Sequence, residues 1–167
     1  MFLALGANVG DPARQIRDAV LRLGDHVEVV GVSSLYRSEP VGYLDQPDFL
    51  NAVVEVRSEL TPRELLEMTQ AMEEAAGRHR PFAGAPRTLD IDIVLYGDLR
   101  MHEPDLDIPH PRWKERAFVL WPLVEIAPDV VDPDTGLAVR ALCAALRVEG
   151  AVPERVAGPE TFARGGS

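Results

Sequence analysis

The sequence contains one cysteine, Cys143, and one lysine, Lys114. A lone cysteine excludes a disulfide within the chain and argues for a reducing compartment, the cytosol. No apolar run approaches the roughly 18 residues that a membrane-spanning helix requires, so no membrane association is expected. The apolar start Met1-Phe2-Leu3-Ala4-Leu5 lacks a basic flank and stops at Gly6, which fits a strand better than a secretory signal. Surplus positive charge is also missing. The net charge is −10, whereas a general nucleic-acid binder needs cationic excess to hold phosphates, so no nucleic-acid partner is expected. The four histidines show no H-x-x-H or H-x-x-x-H spacing, which argues against zinc. Gly6-Ala7-Asn8-Val9-Gly10 lacks both the Gly-Lys-Ser/Thr ending of a Walker A loop and the dinucleotide fingerprint. No Gly-x-Ser-x-Gly elbow surrounds Ser33 or Ser34, so an acyl-transfer triad has no support.

What is present is a chain of 167 residues, the length of one domain that needs no covalent staple. Residues 1–5 read as a buried strand. Asp11 caps a helix with Pro12 in its first turn and Ile16, Ala19, Val20 and Leu23 on one face. The β-branched run 27–36 predicts one long strand, and 49–56 a second that pairs antiparallel with it. Between them, residues 39–47 form a loop longer than a hairpin needs. Thr61-Pro62-Arg63-Glu64 is a capping box opening a helix that Gly77 closes. After an irregular stretch, 78–86, residues 89–96 give another strand. The order β-α-β-β-α-β predicts an α+β, ferredoxin-like sandwich with an antiparallel sheet. Apolar residues 118–126 and a helix near 137–146 add C-terminal helical elements. Residues 1–148 form a single domain on this reading. The Gly-, Pro-, Ala- and Arg-rich stretch 149–167 is expected to be a mobile tail.

Asp90 and Asp92 are two apart on a predicted strand, so their side chains leave the same face. Two close carboxylates repel each other, and a divalent cation such as Mg²⁺ removes the conflict. Spacing alone leaves open whether the pair holds a cation or simply faces solvent. Arg87 lies three residues upstream, within reach of phosphate oxygens. Arg78 and Arg80 fall within ten residues of it, so a local cationic pocket for a small polyanion such as a nucleotide competes with plain surface arginines. Glu73 on the preceding helix fits either a nucleotide contact or a solvated face. Pro109-His110-Pro111 holds a histidine stiffly, suited to a phosphate or base contact or to a structural turn, with Arg116 six residues on.

Several segments together resemble the 6-hydroxymethyl-7,8-dihydropterin pyrophosphokinase family of the folate pathway. They are Leu5-Gly6-Ala7-Asn8-Val9-Gly10-Asp11, Ser33-Ser34-Leu35-Tyr36, Glu39-Pro40-Val41-Gly42 and Asp45-Gln46-Pro47-Asp48-Phe49-Leu50-Asn51-Ala52. Further along come Gly77-Arg78, Pro86-Arg87-Thr88-Leu89-Asp90-Ile91-Asp92-Ile93, Pro109-His110-Pro111, Arg116-Ala117-Phe118-Val119-Leu120 and Trp121-Pro122-Leu123-Val124-Glu125-Ile126-Ala127-Pro128. The segments keep the family's order across residues 1–146.

The resemblance implies transfer of pyrophosphate from ATP to the pterin hydroxymethyl group, with release of AMP. It implies that Asp90 and Asp92 hold two Mg²⁺ ions and that Arg78 and Arg87 stabilise charge on the transferring group. Glu73, Arg80, Ile93, His110 and Arg116 match positions near ATP. Asn51 matches a residue that bonds the pterin ring, Phe49 and Phe118 the aromatics that stack on it, and Ser38 and Val41 its edge contacts. Asp90 also lies at the pterin. A monomer is the family expectation, and the single cysteine predicts a cytoplasmic location. The chain departs from the family at Ala83-Gly84-Ala85, where a basic residue and an aromatic are usual, and at Phe49, where some members carry tyrosine. Two rival readings remain distinct in their consequences. A Mg²⁺-dependent nucleotidyltransferase would release pyrophosphate, and a non-catalytic ferredoxin-like ligand-binding module would turn over no ATP.

Overall fold

The computed structural model describes residues 1–41, 43–77, 88–148 and 150–162. Strand β1 (Phe2–Ala7) runs into helix α1 (Pro12–Leu23), whose N-cap Asp11 accepts the Arg14 N–H at 3.2 Å. Strands β2 (Glu28–Val32) and β3 (Leu35–Ser38) follow, then β4 (Phe49–Arg57) and α2 (Pro62–Ala75). The capping box at α2 is formed in both directions: Thr61 N–H donates to Glu64 Oε1 at 2.9 Å, and Glu64 N–H donates to Thr61 Oγ1 at 3.2 Å. Gly77, with φ of 83°, supplies the left-handed turn that ends the helix.

Strand β5 (Asp90–Leu95) carries the two aspartates, and a small hairpin of β6 (Met101–Glu103) and β7 (Leu106–Ile108) follows it. A 3-10 turn (Trp113–Glu115) leads into α3 (Ala117–Ile126), then α4 (Val139–Ala145) and β8 (Glu154–Ala157). The main sheet has the order β5-β1-β4-β3-β8, with β2 also paired to β4, and all its pairings are antiparallel. The first four strands of that order are those of a ferredoxin-like sandwich.

Two apolar clusters lie on the two faces of the sheet. Leu3, Leu5, Ala52, Val54, Ile91 and Ile93 pack under α1 and α2, with Ile16, Leu23 and Leu65 fully covered. Val53, Val94 and Leu95 pack on the other face with Leu120, Leu123 and Val139 from α3 and α4. Each such side chain contributes roughly 1.5–3 kcal/mol when fully buried. The C-terminal helices therefore turn the two-layer sandwich into three layers.

One sequence expectation is corrected, and part of a second segment is given a place. The strand expected over 27–36 is broken at Ser33-Ser34, because Ser33 Oγ accepts the Val53 N–H at 2.9 Å and replaces a ladder carbonyl there. Within the stretch 149–167, residues 150–162 contain β8 paired with β3, a 3-10 turn (Pro159–Phe162) and a buried Phe162 that joins the cluster under α1.

Candidate active site

The pleat assigns the site to the sheet face opposite α1 and α2. Ile91 and Ile93 are buried on the helical side, so Asp90 and Asp92 emerge on the other. Register then defines two rows, one across four strands and one across three. Asp90 faces Gly6, which faces Asn51, which faces Tyr36 on β3; Asp92 faces Ala4, which faces Val53. Ser38 faces Phe49 at the end of β3.

Small residues on β1 separate the acidic strand from the polar pair on β4 and β3. A Cβ added to Gly6 would come within 3.3 Å of Asn51 Oδ1, so the glycine leaves room for that amide to lie over the sheet. Asn51 is almost fully buried, and its Nδ2 donates to Ser38 Oγ at 2.7 Å. Neither small residue has a motif of its own that would flag it. Only the register shows what their size is for.

The segment after β7 supplies the other side. The His110 N–H donates to the Val94 carbonyl at 3.0 Å, which fixes the histidine beside β5. Its Nδ1 accepts the Arg112 N–H at 3.1 Å, leaving the proton of the neutral ring on Nε2. Burial lowers the pKa of His110, and the negative charge of Asp92 opposes that shift. Arg116 Nη1 lies 3.9 Å from Asp92 Oδ2, and its guanidinium sits 5.5 Å from the Phe118 ring centroid. Burial also lowers the pKa of Arg116, again opposed by Asp92. His110, Arg116 and Asp92 thus act on one another electrostatically.

Other expected residues have more specific places. Glu73 is buried rather than solvated, and its Oε2 accepts the Ile91 N–H at 3.1 Å, tying α2 to β5 between the two aspartates. The Ile93 side chain belongs to the core, so any nucleotide contact it makes is through its main chain. Val41 is exposed in the loop after β3, and Phe49 and Phe118 are half-buried at the start of β4 and in the first turn of α3. Arg78, Arg80 and Arg87, with Ala83-Gly84-Ala85, lie outside the described residues. Among the described residues no cluster of three or more potential metal ligands occurs.

Three supporting contacts were not visible as motifs. Glu125 on α3 accepts from Ser34 N–H at 2.8 Å, Ser34 Oγ at 2.6 Å and Tyr36 Oη at 2.9 Å, locking α3 onto the strand break. Burial first, and then this carboxylate, push the Tyr36 pKa up to about 12. Asn8 Nδ2 donates to Gln46 Oε1 at 2.8 Å and to the Pro47 carbonyl at 2.9 Å, tying the 39–48 loop to the end of β1. Lys114 Nζ lies 3.0 Å from Oδ2 of the fully buried Asp132, holding the turn before Arg116.

Residues 2–128 match the family model described as 7,8-dihydro-6-hydroxymethylpterin-pyrophosphokinase (HPPK). A 2-amino-4-hydroxy-6-hydroxymethyldihydropteridine pyrophosphokinase from Bacillus subtilis is 47% identical over 131 residues, which are 77% of this chain and 78% of that protein. The enzyme of that name from Pseudomonas aeruginosa is 43% identical over 153 residues, covering 90% and 93% respectively. Among solved structures, wild-type Plasmodium falciparum HPPK-DHPS superposes with a TM-score of 0.67 at 16% identity. That match covers 86% of this chain but 40% of the larger one, and at such identity it supports the fold alone.

Proposed function

The chain belongs to the 7,8-dihydro-6-hydroxymethylpterin-pyrophosphokinase family, and on that premise we propose which of its residues carry the reaction. It is a pyrophosphokinase of folate biosynthesis that transfers a pyrophosphoryl group to 6-hydroxymethyl-7,8-dihydropterin, with ATP as co-substrate. The observation that supports the assignment is the single sheet face that carries Asp90 and Asp92 on β5 and, across Gly6 from Asp90, Asn51 with its hydrogen-bond partner Ser38.

In our reading ATP lies along β5. Arg116 and the neutral His110 offer N–H donors to its phosphates or base, and Arg78, Arg80 and Arg87 supply further charge. Glu73 holds the β5 backbone and lines the nucleotide side, with the Ile93 main chain nearby. Asp90 and Asp92 would hold two Mg²⁺ ions, which when bound neutralise charge on the phosphates. The pterin lies toward β4 and β3, its ring hydrogen-bonded by Asn51, stacked by Phe49 and Phe118, and met at its edge by Ser38 and the Val41 main chain. Asp90 is close to both substrates.

The pterin hydroxyl oxygen forms a bond to the β-phosphorus as the α–β bridging P–O bond breaks. The hydroxyl gives up its proton, and AMP leaves. The protein's contribution is positioning and electrostatic stabilisation, as is usual for phosphoryl transfer. The test is product analysis with ATP, Mg²⁺ and hydroxymethyldihydropterin. One AMP should appear per pterin consumed, whereas release of pyrophosphate would indicate nucleotidyl transfer and overturn the reading. No described helix is long and apolar enough to cross a membrane. A cytoplasmic monomer that binds these small molecules and no nucleic acid completes the proposal, and light scattering of the purified protein checks the oligomeric part.

A further inference from the structure

We propose that residues 150–162 are a clamp that positions the pterin-binding edge of the sheet, with Phe162 as its anchor and β8 as its working strand. The family match ends at residue 128, so this segment lies outside the part of the chain that the family model describes. Strand β3 has only four residues and is paired with β4 on one side; without β8 its other side would be the edge of the sheet. β8 covers that side in the register Leu35↔Ala157, Tyr36↔Arg155 and Arg37↔Glu154. Arg37 Nη1 and Glu154 Oε2, 3.5 Å apart, add a largely exposed ion pair.

One end of the clamp is anchored in the core, and the other passes beside the loop after β3. Phe162 is 5% exposed and packs in the cluster under α1. At the other end a Cβ built on Gly150 would lie 3.5 Å from Glu39 Oε2, so the segment also passes the first residue after β3. β3 ends in Ser38, whose hydroxyl holds Asn51, and residue 39 begins the loop that carries Val41. Short edge strands open locally more readily than strands paired on both sides. β8 therefore raises the fraction of molecules in which Ser38, Asn51 and the start of the loop are in place before the pterin arrives. β5, with Asp90 and Asp92, lies at the opposite end of the strand order from β8. Arg155, Gly150 and Phe162 are thus positioning elements for one substrate and not for the other.

The inference rests on the pterin placement proposed above, and the experiment separates the two. Arg155→Pro breaks the β3 ladder at an exposed residue, Phe162→Ala removes the anchor, and Phe162→Leu is the conservative control. Steady-state kinetics of the full chain are read together with amide hydrogen exchange at residues 35–38. If loosening the clamp leaves about a tenth to a third of molecules competent, KM for hydroxymethyldihydropterin rises about 3- to 10-fold. KM for ATP and kcat stay within twofold of the parent, and Phe162→Leu restores the pterin KM. Should Phe162→Ala fail to fold, Arg155→Pro carries the same test. Asn51→Ala provides the reference for the site itself. A raised pterin KM in Asn51→Ala beside a normal one in a clamp variant with deprotected β3 amides overturns the clamp alone. A normal pterin KM in Asn51→Ala overturns the placement and the clamp with it. Equal rises in both KM values show a general loss of structure and also overturn the clamp.

Discussion

Asp92 combines partial exposure with two neighbours that act on it electrostatically, Arg116 at 3.9 Å and the half-buried, neutral His110, so its removal should harm chemistry more than folding. Asp92→Ala is expected to lower kcat by at least about 10²–10³-fold, the range lost when one group that stabilises transition-state charge is deleted. Its melting temperature should stay within a few degrees of the parent, and near-normal turnover would remove Asp92 from the metal site. Gly6 is a second single-residue test. A methyl there meets Asn51 Oδ1 at 3.3 Å, so Gly6→Ala forces the amide to shift. Moving a side chain off its rotamer costs about 0.5–1.5 kcal/mol, which corresponds to roughly 2- to 12-fold in pterin KM. An unchanged pterin KM would show that Asn51 is not set by Gly6. The aspartates were legible because alternation along a strand assigns faces from spacing alone. Gly6 and Ala4 were not, since their meaning depends on which residues of β4 and β5 lie opposite, a register that single-sequence patterning does not supply.

Helices α1 and α2 were legible because their caps are local: Asp11, and the Thr61–Glu64 pair, act within three residues. The break between β2 and β3 was hidden because the β-branched run continues through it. Its cause is a contact between Ser33 and Val53, twenty positions apart. The same break is held from outside by Glu125, about ninety positions away in sequence, which receives three hydrogen bonds from Ser34 and Tyr36. Glu125 thereby fixes the roll of α3, the helix that begins with Phe118. Glu125→Ala would strand those donors and is expected to cost roughly 2–5 kcal/mol, since each buried donor left without a partner loses about 1–3 kcal/mol. The Tyr36 phenol should also titrate below its present value of about 12, because one of the causes that raise it is gone. Denaturant unfolding and ultraviolet titration of the tyrosines read the two effects independently. A folded variant with Tyr36 still titrating near the present value would show that burial alone raises it.

At the scale of the whole molecule, the third layer is joined back to the site by an ion pair that closes the chain on itself. Asp132 lies beyond α3 and is fully buried, yet it reaches Lys114 in the turn before that helix at 3.0 Å. Thr135 Oγ1 donates to the same carboxylate at 2.7 Å and the Asp134 N–H at 3.1 Å. Burial pushes the Asp132 pKa upward, but the hydrogen bonds of Thr135, Lys114 and Asp134 outweigh it, and the net shift is below the ordinary value of 3.8. A carboxyl whose pKa is lower folded than unfolded binds its proton more readily in the unfolded chain. Its contribution is therefore complete above the unfolded pKa and disappears as pH falls through the folded one. Melting temperatures of the parent and of Asp132→Asn should accordingly differ most at neutral pH, by the equivalent of about 1.5–3 kcal/mol, the range for a hydrogen bond to a charged group. The gap should stay constant down to about pH 4 and close below it. Lys114→Met should reproduce part of the neutral-pH loss, because it removes the cation while leaving the Thr135 bond. The turn that Lys114 anchors leads directly to Arg116, so the same variant should raise the KM for ATP more than that for the pterin. A gap that persists unchanged into acid would mean that the Asp132 charge contributes nothing to stability, and equal changes in the two KM values would separate the pair from the nucleotide side of the site.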